Sequence, residues 1–287
     1  MNRTNDSVRR ARIVLLLLMA ACFASCGDSD DAGTSAGATK LTITADDYGF
    51  AAPESIRGGT VEINFTNNGK EPHFAGLAKV APGKTVDDVR AALVAPPSAA
   101  PTGPPPFEDY AGMPTTDPGR SAQLTLNLPA GTYALFCVLP SPDGLTHAHK
   151  GMVKQLTVTE GDRVALPKSA GTVVATDFGL AQVPHLEAGS NVVALRNDGK
   201  QLHEVNLVEL APGKTVDDVV RWYRQPAGPP PMTSLGGVAV KPGEEGVARM
   251  ELKRGSTYAF VCAIPDVLGD FAPHITKGMF TSSFTVA

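Results

Sequence analysis

An all-β fold is predicted for this 287-residue chain: two tandem Greek-key β-sandwich or partly open barrel modules, each with one short inserted helix. Three observations predict it. A long stretch of sequence recurs at a fixed displacement, apolar residues alternate with polar ones at a period of two, and 29 glycines and 24 prolines supply many corners without reaching a low-complexity composition. Apolar residues make up 43% and charged residues 19%, which excludes disorder for most of the chain. The formal charge of −4, with no basic block beyond the N-terminus, excludes nucleic acid as an expected partner.

The N-terminus reads as an address. Arg3, Arg9, Arg10 and Arg12 precede an apolar run from Ile13 to Ala24, which is too short to span a hydrocarbon core that needs about 20 residues. The run ends in Phe23-Ala24-Ser25-Cys26 and turns polar through Gly27 to about Thr39. This pattern resembles a bacterial lipobox, which implies a lipoprotein-type signal over residues 1–25, an acylated Cys26 as anchor, and a flexible linker at 26–38. Phe23 departs from the leucine usual there; an ordinary cleaved signal and a second lipobox at Met19-Ala20-Ala21-Cys22 are the alternatives. Cleavage before Cys26 would leave 21 basic and 28 acidic residues, a balance of −7. The expected location is extracytoplasmic, tethered to the bacterial cell membrane by lipid rather than by a spanning helix.

The repeat is the most specific signal. Asn67-Asn68-Gly69-Lys70-Glu71-Pro72-His73 recurs as Asn197-Asp198-Gly199-Lys200-Gln201-Leu202-His203, and the nine residues 81–89 recur unchanged at 211–219, both at an offset of 130. The agreement continues at 103–106 against 228–231, at Thr132–Cys137 against Thr257–Cys262, and at His147–Met152 against His274–Met279. These matches predict one module at 39–160, a linker at 161–170 and a second module at 171–287. Each copy exceeds a hundred residues, so a pair of domains is expected rather than a solenoid.

Within a copy, Val61, Ile63 and Phe65 alternate with polar neighbours, as do Leu124, Leu126 and Leu128, and both runs read as half-buried strands. Tyr133, Leu135 and Cys137 share one strand face, repeated by Tyr258, Phe260 and Cys262; Gln155–Val158 supplies a last strand. Thr85 can cap a helix beginning Val86-Asp87-Asp88, and Thr215 one from Val216 to Tyr223, with acidic residues in each first turn.

Soft and titratable residues recur at matched places. His73, Cys137, His147 and Met152 in the first copy correspond to His203, Cys262, His274 and Met279 in the second. Two imidazoles, a thiolate and a weak thioether form the ligand set of a blue-copper centre. His149 and His185 have no histidine counterpart, and a buried cysteine, a methionine after glycine or a loop histidine taken singly is ordinary structure. A bridge between Cys137 and Cys262 is not expected, because both hold the same inward position in separate copies.

At these residues the chain resembles the cupredoxin family, the plastocyanin and azurin group. The turn at 67–73, the strand at 131–137 and the stretch at 147–152 correspond to its asparagine turn, cysteine strand and closing histidine–methionine stretch. The resemblance implies two cupredoxin-like domains, with the eight residues just named as metal ligands and copper as cofactor. It also implies electron transfer or copper handling beside a redox or envelope protein partner. The departures are loops of nine residues (Val138–Thr146) and eleven residues (Ala263–Pro273) between cysteine and second histidine, with a helix and a Gly-Pro-Pro-Pro segment after the first histidine. A metal-free binding or structural module of the envelope is the competing expectation. An enzyme is not expected: His147-Ala148-His149 is the sole His-X-His pair, no histidine flanks either cysteine, and no catalytic residues are assigned.

Overall fold

The computed structural model describes residues 37–95 and 103–287, so Cys26 and the signal segment lie outside the described residues. The first copy contains β1 (Thr39–Asp46), β2 (Gly49–Ala51), β3 (Ser55–Arg57), β4 (Gly59–Asn67), β5 (His73–Val80), α1 (Val86–Val94), β6 (Phe107–Thr116), β7 (Ser121–Leu128), β8 (Gly131–Phe136) and β9 (Val153–Thr159). The second contains β10 (Gly171–Thr176), β11 (Gly179–Ala181), β12 (Gly189–Asn197), β13 (His203–Leu210), α2 (Val216–Arg224), β14 (Met232–Val240), β15 (Glu245–Leu252), β16 (Thr257–Val261) and β17 (Phe284–Thr285). Among the described residues no helix is long and apolar enough to cross a membrane.

The copies do not close separately. One sheet of eight strands runs β11-β10-β12-β15-β7-β4-β1-β2, and one of nine runs β17-β16-β13-β14-β6-β5-β8-β9-β3. Strands of the two copies meet at antiparallel seams, β15 on β7 (Ala248 opposite Leu124) and β14 on β6 (Ala239 opposite Gly112). Three pairs are parallel: β1 with β4, β10 with β12, and β3 with β9.

The expectation of two tandem Greek-key β-sandwich or barrel domains, and the description of the chain as a plain β-sandwich, are therefore corrected. The molecule is a β-repeat structure in which the second copy extends both sheets of the first edge to edge. As in solenoid arrays, neighbouring repeats bury one continuous core. The physical reason is the strand edge: β6, β7, β14 and β15 would each leave a row of unpaired N–H and C=O groups on an isolated copy, and pairing across the seam satisfies them.

The core follows the period-two pattern. Val61, Ile63 and Phe65 of β4 sit opposite Leu126, Leu124 and Ala122 of β7, and Val61, Ile63, Phe65, Leu124 and Leu126 are buried. One hydrophobic cluster includes these residues, their counterparts Val193 and Leu195, both cysteines and both of Met152 and Met279. The helices cover the other face of the nine-stranded sheet. In α1 the Thr85 hydroxyl accepts from Asp88 N–H while the Asp88 carboxylate accepts from Thr85 N–H, and α2 repeats this box with Thr215 and Asp218. Val89 of α1 then packs with Ala134, Phe136 and Ala148, while Val219 of α2 packs with Ala259, Val261 and Ile275. Each helix thus backs the strand that leads into a cysteine.

Beside the β6–β14 seam lies a cavity of about 140 Å³ lined by Phe74, Met113, Val138, Glu204, Tyr223 and Ala263 among others. Glu204 is buried there with its carboxylate accepting from Ala263 N–H at 2.9 Å. Burial pushes its pKa up to about 7, against the opposing pull of that N–H. The unfolded chain releases this proton near the ordinary glutamate value of about 4.3, so between that pH and 7 the native state binds more protons. Stability from this group is present at low pH and falls as pH rises towards 7. Glu204→Gln is expected to leave the unfolding midpoint unchanged at pH 4 and to add roughly 2–3 kcal/mol at pH 8, read by urea unfolding at both pH values.

Candidate metal centres

Each copy brings three buried donors together. His73 begins β5, Cys137 directly follows β8, and His147 lies in the turn before β9; their ligand atoms fall within 4.8 Å of one another. His203, Cys262 and His274 repeat the arrangement from β13, the end of β16 and a 3₁₀ turn over His274–Lys277. In the first copy His73 thus meets Cys137 and His147, 64 and 74 positions further along the chain, at one end of the sheets.

Asparagine organises the first histidine. The side chain of Asn67, fully buried, donates to the carbonyls of Glu71 and Thr116 and accepts from Gly69 N–H; Asn197 does the same with Gln201, Val240 and Gly199. The folded turn then delivers the imidazole to the site. Backbone bonds tie the remaining parts together. Cys137 N–H donates to the Met152 carbonyl and Met152 N–H to that of His147, with the same pair of bonds at Cys262, Met279 and His274. Met152 and Met279 are fully buried as part of the core.

In the first copy both rings are oriented from outside. His73 Nε2 lies 3.1 Å from Asp47 Oδ1, and His147 Nε2 lies 2.9 Å from Glu71 Oε2. An ionised carboxylate only accepts, so each Nε2 carries the hydrogen and each Nδ1 presents a lone pair. The two Nδ1 atoms face each other at 2.9 Å, with Cys137 Sγ 3.4 Å from His147 Nδ1. Two lone pairs at that distance repel unless a cation lies between them. Burial lowers the His73 pKa against the opposing pull of Asp47, which disfavours a proton in that role. The set fits a metal ion: neutral imidazole nitrogens and a sulfur converge in a dry pocket. Burial also pushes the Cys137 thiol up to about 12, so metal must displace a proton to bind sulfur.

Both orienting carboxylates stay ionised. For Asp47, the cost of burial is outweighed by N–H bonds from Lys70 and Glu71 and by His73, which hold its pKa below the usual range. For Glu71, the Tyr48 hydroxyl and His147 outweigh burial in the same direction.

The second copy keeps half of this frame. His203 Nε2 lies 2.9 Å from Asp177 Oδ1, His203 Nδ1 lies 3.3 Å from His274 Nδ1, and Cys262 Sγ lies 3.4 Å from His274 Nδ1. His274 Nε2, however, is buried with no hydrogen-bond partner. Burial, aided by the neighbouring His203, brings the His274 pKa down to about 4, so the ring is neutral at physiological pH.

Asp47, Asp177 and Glu71 are the functional residues that the sequence reading missed. Asp47 and Asp177 were findable, because Asp47-Tyr48-Gly49 recurs as Asp177-Phe178-Gly179 at the same offset of 130. The glycine of each asparagine turn belongs with them: a Cβ on Gly69 would sit 2.4 Å from Asp47 Oδ1 and 2.7 Å from His73 Nε2, and one on Gly199 2.6 Å from Asp177 Oδ1 and 2.5 Å from His203 Nε2. Gly69→Ala and Gly199→Ala are therefore expected to push the carboxylate off its histidine and weaken metal binding about 10–100-fold in the affected copy, measured by competitive titration. His149 is held by Thr146 on the exposed side of its turn, His185 lines an open groove, and both cysteines are free thiols.

No family model and no curated protein sequence matches the chain. Solved structures that align with it include an auracyanin from Roseiflexus castenholzii, at 21% identity over 43% of this chain and 99% of that one, with a TM-score of 0.29. A multicopper oxidase aligns at 15% identity over 86% of this chain and 88% of that one, with a TM-score of 0.25. A copper nitrite reductase from Nitrosomonas europaea aligns at 13% identity over 86% and 93%, with a TM-score of 0.24. Overlaps this loose carry no family membership, and the shared sheets depart from separate modules. The identification as a tandem cupredoxin-like, plastocyanin-type protein is accordingly corrected to a β-repeat chain with two buried His–Cys–His clusters.

Proposed function

We propose that the chain holds one copper ion in each copy and serves electron transfer or copper handling outside the cytoplasm, anchored to the membrane through acylated Cys26. The observation that carries the metal reading is the pair of facing Nδ1 lone pairs beside a buried thiol in the first copy. Two imidazoles and one sulfur, with a methionine tied to the cysteine and the second histidine by backbone bonds, make a donor set suited to copper. Copper bound there would supply a one-electron couple. The protein's own residues orient the rings through Asp47, Glu71 and Asp177, exclude water by burial, and offer the methionine as a weak further ligand. A site built this way is assigned to metal holding, and no substrate-activating group is assigned beside it.

Adding cupric ion to the purified chain tests the reading. Two bound equivalents with an intense visible thiolate-to-metal charge-transfer band support it, whereas no colour and no bound metal leave a metal-free envelope scaffold. Loss of the protein from the membrane fraction in Cys26→Ser, with retention in Cys22→Ser, is expected for the anchor.

A further inference from the structure

The two centres differ in what stands behind the second histidine. In the first copy a hydrogen-bonded chain runs inward: Asp143 pairs with Lys150 at 2.8 Å, Lys150 donates to the Tyr48 hydroxyl at 3.1 Å, Tyr48 donates to Glu71 at 2.7 Å, and Glu71 accepts from His147. In the second, Phe178 stands where Tyr48 stood and Gln201 replaces Glu71. Gln201 turns away to donate to Asp266 at 2.9 Å and accept from Leu268 N–H, while Lys277 pairs with Asp266 and Asp270. His274 is left with the Phe178 ring at 5.2 Å and an unpartnered Nε2.

Resting on the copper reading above, we infer that the centres are an unequal pair: Glu71 makes the first copy the tighter site for the doubly charged ion, and the second copy leans to the singly charged one. Two effects act in the same direction. The carboxylate on His147 raises the donor strength of the ring and adds a negative charge that favours the higher-charged ion. It also commits the His147 tautomer with Nδ1 free. His274 has no such commitment, and presenting its Nδ1 lone pair leaves a buried Nε2–H unsatisfied. In a singly reduced molecule holding two copper ions, the electron therefore resides on the second copy, cupric ion on the first.

The test uses single-centre variants, Cys262→Ser for the first site and Cys137→Ser for the second. The latter also carries Glu204→Gln, which removes the buried carboxylate that accepts from Ala263 N–H next to Cys262. Cupric and cuprous dissociation constants are measured for each by competition with chelators. The cupric-to-cuprous preference is expected to be at least tenfold greater at the first site, about 59 mV lower in potential for one electron. Adding Glu71→Gln, which removes the charge and keeps one acceptor oxygen for His147 while its amide N–H turns to the Tyr48 hydroxyl, is expected to abolish that difference. Adding Phe178→Tyr with Gln201→Glu to the second site is expected to narrow it. Metal bound at both sites with equal preference, or a first site unmoved by Glu71→Gln, overturns the inference while leaving the copper reading intact. Failure of both variants to bind copper overturns both.

Discussion

Replacing both cysteines, Cys137→Ser with Cys262→Ser, is expected to take bound copper from two equivalents to none at micromolar ion and to erase the visible charge-transfer band. Each single replacement should remove one equivalent. The magnitude follows from the site: sulfur is one of three converging donors, and both cysteines are fully buried, so a serine offers a hard, protonated oxygen in the same dry pocket. At least a hundredfold weakening per site is expected by analogy with outer-partner losses, which alone cost about 10–100-fold. Because serine is close to cysteine in volume, the unfolding midpoint without metal should move little. With metal present, the wild-type chain should gain stability that the double variant lacks, since ligand binding to the native state is linked to folding.

The second large effect is expected at the seam. Gly112 of β6 has φ of 140°, and a Cβ there would lie 2.1 Å from the Ala75 carbonyl oxygen; a Cβ on its counterpart Gly237 of β14 would lie 1.8 Å from that of Val205. The atoms met are backbone of the paired strand, β5 or β13, so nothing flexible is there to yield. Gly112→Ala or Gly237→Ala is expected to cost about 3–5 kcal/mol, at the upper end for single substitutions. Because both sheets run through both copies, the loss should appear in one shared thermal transition followed by calorimetry. Two independent transitions, with only the substituted copy shifted, would contradict the continuous-sheet architecture.

How much of this was legible in the sequence depends on which groups carry the information. The alternation in β4 and β7 lives in side chains, so Val61, Ile63, Phe65, Leu124 and Leu126 declared their inward face. His73, Cys137 and His147 declared themselves by rarity and by recurring as His203, Cys262 and His274, and the six do meet as two clusters. The joining of sheets is carried by backbone N–H and C=O groups along β6, β7, β14 and β15. These are the same in every sequence, so neither the repeat nor the alternation disclosed that β7 continues into β15 and β6 into β14. The recurrence of Asp47 as Asp177 was visible, but the role of Glu71 depends on which ring nitrogen it reaches, a matter of three-dimensional placement. The loops of nine and eleven residues before the second histidines fold back through bonds such as His147 N–H to Leu139 and His274 N–H to Ile264, which spacing alone does not disclose.

X-ray absorption at the copper edge of the loaded full chain tests the central claim most directly. Each ion is expected to show a short sulfur scatterer at roughly 2.3 Å and two imidazole nitrogens at roughly 2.0 Å, distances taken from the sulfur and nitrogen bonds of a comparable divalent ion. A shell of oxygen and nitrogen alone, without short sulfur, would contradict it.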